Sequence, residues 1–331
     1  MLTAERLRRL VTEEGFPQRE AAMMEEFFSS MRKSLAEQPN VNFQEIERTF
    51  QLYIDKVVEF VKNPYPFPSY HKAITEPFDY SLQNEQLFSP LIDFERSYLG
   101  EKTSLDEISE TLERRKNVIF FSNHQTEPDS QLIMLLLKNA GYDFSSSLIS
   151  VAGDRVLTDP LAATLSLGLN LLSVYSKRYM DAIPEKREER QQHNRRTMQI
   201  MSTLLAEGGQ CIYVAPSGGR DRRAADGSLP IAPFDPASIE MFRLMAEKSG
   251  VMTRFYPMTL NTHDLLPPPD KVQIELGEHR IASYTPIDVI VGNEIKWDML
   301  PTSDNKHIAR ELRAKAIWDM VVANSRARRN S

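Results

Sequence analysis

A histidine and an aspartate stand five positions apart in the stretch Ser122-Asn123-His124-Gln125-Thr126-Glu127-Pro128-Asp129. An imidazole held by a carboxylate on one ring nitrogen keeps the other free to take a proton, so the pair has the makings of a general base and its orienter. Residues five apart do not share a face of an α-helix, and Pro128 disfavours the helical conformation at Glu127, so a turn has to bring the two side chains together. The alternative is local: His124 ends a strand, Asp129 caps the helix beginning near Ser130, and a bare H-x-x-x-x-D string recurs by chance.

Positive charge is offered by two further stretches. Ala215-Pro216-Ser217-Gly218-Gly219-Arg220-Asp221-Arg222-Arg223 follows the apolar run Cys211 to Val214. Its paired glycines allow a tight turn, and in an extended loop Arg220 and Arg222 project from one side. A guanidinium fork grips phosphate at two points, which a lysine cannot copy; the competing reading is a solvated loop. Tyr175-Ser176-Lys177-Arg178-Tyr179 follows another run, ending at Val174. Three such loops at strand ends would line one pocket, suited to removing a proton from a hydroxyl of a small molecule that carries phosphate.

The elements that position these loops are legible in the apolar pattern. Strands are expected at Val118 to Phe121, Leu148 to Val151, Leu169 to Val174, Cys211 to Val214, Arg254 to Leu260 and Lys271 to Leu276. Helices are expected between and after them, at about 131–139, 160–167, 185–206, 236–248 and 304–323. Asp159-Pro160 and Asp235-Pro236 each put an N-cap acid before a proline at the first helical position, and Ser104-Leu105-Asp106-Glu107 reads as a capping box. The alternation predicts an α/β fold with a mixed, largely parallel sheet flanked by helices, where ligands gather beyond the carboxyl ends of the strands. Before it, apolar residues from Met24 to Leu35 and from Phe43 to Phe60 recur at three- and four-residue steps, with Asn42 and Glu45 as a capping pair, so a small all-α helical bundle is expected. The run Asn63-Pro64-Tyr65-Pro66-Phe67-Pro68 cannot be helical and divides a domain 1–68 from a domain 69–331.

Composition narrows the function. A net charge of −6 over 331 residues argues against bulk nucleic-acid binding, and a single cysteine, Cys211, excludes an intrachain disulfide and a multi-cysteine zinc site. The six histidines show no metal spacing, so neither a metal nor another cofactor is expected. The most apolar stretch, Leu161 to Tyr175, is broken by polar residues and falls short of the ~20 apolar residues a spanning helix needs. The start of the chain shows neither signal nor transit pattern, so a cytoplasmic location is expected, or plastid stroma after removal of a transit peptide.

Taken together, these strings resemble the soluble glycerol-3-phosphate 1-O-acyltransferases of plastids and chlamydia-like bacteria. The likeness spans nearly the whole chain and includes Ser122 to Glu127, Val151-Ala152-Gly153-Asp154-Arg155-Val156-Leu157, Tyr175-Ser176-Lys177, Ala215 to Arg222, Ala232-Pro233-Phe234-Asp235 and Pro267-Pro268-Pro269. It implies that His124 is the general base oriented by Asp129, and that Arg220 and Arg222 hold the phosphate of glycerol 3-phosphate with the residues at 178 and 179. Plastid members carry lysine and histidine there; Arg178 keeps the charge, and Tyr179 offers one neutral hydrogen bond. The acyl donor implied is acyl-(acyl-carrier protein), with acyl-CoA accepted. Lys186, Arg187, Arg190, Arg195 and Arg196 offer a dock for an acidic carrier, against a solvated face interleaved with glutamates, and Leu161 to Leu172 could line an acyl groove or be plain core. The competing functions are a lysophospholipid acyltransferase and a non-catalytic module binding a phosphate ligand or carrier protein.

Overall fold

The structure, a computed structural model, describes residues 2–39, 41–176, 184–269 and 278–329. In chain order the elements are α1 (Leu2–Glu14), α2 (Gln18–Leu35), α3 (Phe43–Lys62), β1 (Tyr70–His71), α4 (Tyr80–Phe88), β2 (Tyr98–Leu99), α5 (Lys102–Glu113), β3 (Asn117–Ser122), α6 (Asp129–Asn139) and β4 (Leu148–Gly153). Then come α7 (Arg155–Thr158), α8 (Pro160–Ser166), β5 (Asn170–Val174), α9 (Arg187–Glu207), β6 (Cys211–Val214), α10 (Pro236–Lys248), β7 (Thr253–Asn261), β8 (Asp288–Val291) and α11 (Lys306–Arg329).

The eight strands form one sheet in the order β1-β5-β4-β6-β3-β7-β8-β2. The pairs of β1 with β5 and of β7 with β8 are antiparallel, and the remaining pairs are parallel. β3 lies between β6 and β7, in register over Val118 to Phe121 with Cys211 to Val214. Both faces of β3 are buried, as its unbroken β-branched and aromatic run predicts. Val118 and Phe120 join the cluster that contains Phe27, Phe50 and Tyr53 of α2 and α3, whereas Ile119 and Phe121 join one built with α9, α10 and α11. That is period-2 alternation with helices on both sides.

Three helix starts follow the chemistry expected of them. Asn42 caps α3 by accepting from the Glu45 N–H at 3.2 Å, Asp159 caps α8 through Leu161 at 2.9 Å, and Asp235 caps α10 through Ala237 at 3.1 Å. The Ser104 box is a misreading: α5 opens two residues earlier, at Lys102 after Glu101, with no side-chain cap, and Ser104 lies inside the first turn. Of the two readings of Leu161 to Leu172, acyl groove or plain core, burial favours core, with Leu161, Leu165, Leu171 and Leu172 at most 2% exposed. The strand expected at Lys271 to Leu276 lies outside the described residues. Among the described residues, no helix is long and apolar enough to cross a membrane.

Candidate active site

β3 delivers the chain to the carboxyl edge of the sheet, and side chains from Asn123 to Asp129 pin the turn that follows. Asn123 behaves as an extra rung toward β7: its Oδ1 accepts from the Leu260 N–H at 2.8 Å and its Nδ2 donates to the Leu260 carbonyl at 3.0 Å. The Gln125 Oε1 accepts from the N–H groups of Thr262, at 2.8 Å, and His263, at 3.2 Å. The Thr126 hydroxyl donates to the Leu266 carbonyl. The Glu127 carboxylate is gripped by Arg280 at 2.8 and 2.9 Å.

Asp129 opens α6 and turns back into the bend. Its Oδ2 stands 2.7 Å from His124 Nδ1 and accepts from the N–H groups of Gln125, at 2.7 Å, and Thr126, at 3.3 Å. Its Oδ1 accepts from the Thr262 hydroxyl at 2.5 Å. An ionised carboxylate only accepts, so the His124 proton resides on Nδ1 and the lone pair on Nε2. Asp129 is 1% exposed and the His124 side chain 28%, so the carboxylate is sealed while the imidazole reaches solvent.

The arginine loop is stitched to the same turn through the residue between the two arginines. The Asp221 N–H donates to the His124 carbonyl at 2.6 Å. Its Oδ2 accepts from Asn123 at 2.9 Å and Gln125 at 3.3 Å, and its Oδ1 from the Ala232 N–H at 2.9 Å. Burial raises the Asp221 pKa above the usual 3.8, and those donors and the nearby His124 pull it back. Gly218, at φ +66°, lets the chain leave β6 and return to this position, with its N–H closing a turn onto the Ala215 carbonyl at 3.1 Å. Arg220 and Arg222, on either side of the buried Asp221, are half-buried. Arg220 pairs with Glu278, and Arg222 donates to the Pro269 carbonyl.

His124, Asp129, Arg220 and Arg222 therefore belong to two adjoining loops. Arg178 and Tyr179 lie outside the described residues. β5, which leads to them, ends at the same edge three strand positions from β3, about 14 Å away at ordinary strand spacing. Sequence reasoning missed Thr262, Asp221 and Arg280. Asp221 carries a readable signal in hindsight, an acid between two arginines; Thr262 and Arg280 lie 133 and 151 residues beyond Asp129 with no pattern connecting them. Among the described residues, no group of three or more His, Cys, Asp or Glu side chains could hold a metal ion.

Comparison with known proteins now bears on this geometry. A family model described as Acyltransferase matches residues 105–261, which run from α5 to the end of β7 and include both loops. The chain is 40% identical over 314 residues to glycerol-3-phosphate acyltransferase ATS12, chloroplastic, of Cucurbita moschata, covering 94% of this chain and 68% of that protein. It is 38% identical over 308 residues to the ATS11 counterpart of the same plant, covering 92% and 69%. Against the chloroplastic glycerol-3-phosphate acyltransferase of Arabidopsis thaliana it is 35% identical over 308 residues, covering 92% and 67%.

Proposed function

The chain belongs to the glycerol-3-phosphate acyltransferase family, and from that membership we propose that it transfers a fatty acyl group from a thioester donor to the sn-1 hydroxyl of glycerol 3-phosphate. The observation that carries the mechanism is the 2.7 Å contact of His124 Nδ1 with a carboxylate that has no exposed face, beside a loop with two arginines. His124 Nε2 takes the proton of the sn-1 hydroxyl as that oxygen attacks the thioester carbonyl carbon. The tetrahedral adduct collapses with cleavage of the C–S bond, and the departing thiolate recovers the proton from the imidazolium. The products are 1-acylglycerol 3-phosphate and the free thiol, with no acyl-enzyme on the way.

Arg220 and Arg222 hold the substrate phosphate, joined by Arg178 and Tyr179. Their part is orientation, which converts a bimolecular encounter into a directed one, while general-base assistance contributes about 10²- to 10⁴-fold. The donor we propose is acyl-(acyl-carrier protein), with acyl-CoA as a substitute. Lys186, Arg187, Arg195 and Arg196 are exposed at and along α9, which supports a dock for an acidic carrier; raising salt should then slow transfer from the carrier more than from CoA. The chloroplastic descriptions of the relatives support plastid stroma as the compartment.

The experiment is incubation with labelled glycerol 3-phosphate and an acyl thioester, reading lysophosphatidic acid. His124→Ala should lose about 10²- to 10⁴-fold in kcat while still binding glycerol 3-phosphate. A near-normal rate removes the histidine from its role. Product from a lysophospholipid acceptor instead, or from no acceptor, would favour the other two readings.

A further inference from the structure

Glu127 lies between the general base and its orienter, and both of its oxygens are taken by one residue 153 positions away. Arg280 Nε stands 2.9 Å from Oε1 and a terminal nitrogen 2.8 Å from Oε2, a planar fork against a planar carboxylate that fixes angle as well as distance. Arg280 is 2% exposed and completes its bonding at the Glu278 carbonyl, 3.0 Å, and beside the Asp159 carboxylate, 3.6 Å. Burial alone would lower its pKa; the carboxylates of Glu127 and Asp159 outweigh that and hold it above the usual range.

This fork is anchored from behind. Asp159 caps α8, and Tyr53 of α3 donates to the Leu161 carbonyl in that helix at 3.0 Å. The residues flanking Arg280 hang from α2: His279 meets Glu26 at 2.5 Å, the Ala282 N–H donates to Ser30 at 2.9 Å, and the Tyr284 N–H donates to Ser34. In front of the fork, Glu127 directly follows Gln125 and Thr126, whose N–H groups hold Asp129. A displacement of Glu127 moves those donors, and with them the carboxylate that sets the imidazole.

We propose that Arg280 is a positioning residue for acyl transfer, holding the Glu127 bend so that Asp129 and His124 keep their mutual geometry without itself touching substrate. The inference rests on the general-base reading of His124. A base misplaced by about an ångström loses about 10²-fold in rate, whereas Arg220 meets a different side chain of this segment, Glu278.

The test is a kinetic cycle on the full chain with Glu127→Gln, Arg280→Lys and the double variant, each verified as folded by circular dichroism. Both single variants should lose about 10²-fold in kcat, with KM for glycerol 3-phosphate within about twofold of wild type, and the double should be no slower than the slower single, as for residues that act as a unit. Unchanged kcat in either folded variant, a loss carried by KM, or losses that multiply in the double would each overturn the proposal. If the lysine variant does not fold, Glu127→Gln decides by the same kcat and KM criteria. A wild type that makes no lysophosphatidic acid sinks the proposed function; active wild type with equally active variants sinks only the role of Arg280.

Discussion

Asp221 is the residue on which the two halves of the site meet, and it does so by facing away from its neighbours. One of its oxygens receives two side-chain amides, from Asn123 and Gln125, and the other a backbone N–H. An asparagine in its place has one oxygen for those two positions, so one set of donors must face an NH₂ group. Asp221→Asn should therefore cost about 1–3 kcal/mol, the usual penalty for a buried group left unpaired, and raise KM for glycerol 3-phosphate as the arginines lose their register. The pH dependence has a defined sign. Because the folded-state pKa is raised above 3.8, the folded protein holds this proton more tightly than the unfolded chain, and wild type gains stability as pH falls through that window. Asparagine lacks the term, so the stability gap between the two, measured by urea unfolding, should widen toward low pH; a constant gap would show that burial does not shift this carboxyl. Glu278 acts in the opposite sense, since it occupies the Arg220 guanidinium that the proposed function assigns to the substrate phosphate. Glu278→Gln should lower KM for glycerol 3-phosphate by about two- to thirtyfold, the ~0.5–2 kcal/mol by which a charged hydrogen bond exceeds a neutral one; an unchanged or raised KM would mean Glu278 does not compete. At this scale the sequence brings out His124, Asp129, Arg220 and Arg222 because they sit in short local strings. It conceals Thr262, Glu278 and Arg280, whose roles exist only once distant segments are folded together.

Elements were legible where the apolar period had room to repeat. β6 and α10 coincide with their expected bounds, and β3, β4, β5 and β7 differ by a residue or two at their ends. β1 and β2, two residues each, are too short to carry any alternation, and β8 shows only one repeat of buried and half-buried positions. They exist because neighbouring strands supply the ladder. The misplaced start of α5 has a related cause, since a serine followed by a glutamate three residues later also occurs in a helix already begun, where the N–H groups such a box would cap are bonded within the helix. The exit of α9 into β6 is dictated more sharply. Gly208 follows the helix at φ +72°, and a Cβ there would stand 2.3 Å from the Arg115 carbonyl oxygen. Gly208→Ala meets both a left-handed backbone and a fixed neighbour, so it should destabilise by more than about 1 kcal/mol. Thermal denaturation against wild type measures this, and an unchanged midpoint would show that the α9 exit can rearrange freely.

At the scale of the whole molecule, the parallel strands bring the loops after β3 and β6 to one edge, while the N-terminal helices reach the same place from the side. Buried side chains run continuously from Phe27, Phe50 and Tyr53 to Phe120, Leu132 and Leu260, so α2 and α3 share a core with the sheet. The consequence for the site runs through the segment beginning at Glu278, which carries one residue paired to Arg220 and another to Glu127 and is fastened to α2 at every fourth residue of that helix, Glu26, Ser30 and Ser34. Helical spacing sets those three on one face, and their contacts at 279, 282 and 284 run along a single stretch of the opposing chain. If α2 holds that stretch against the site, loosening one fastening should be felt at the catalytic turn. Ser30→Ala removes the acceptor of the Ala282 N–H, worth about 1 kcal/mol, so its amide should exchange with solvent about fivefold faster. The change should spread to the amides of 279–284, with a smaller fall in kcat and no change in KM for the acyl donor. Faster exchange confined to Ala282, with kcat intact, would mean that α2 supports the core alone and that the segment keeps its hold on Arg220 and Glu127 unaided.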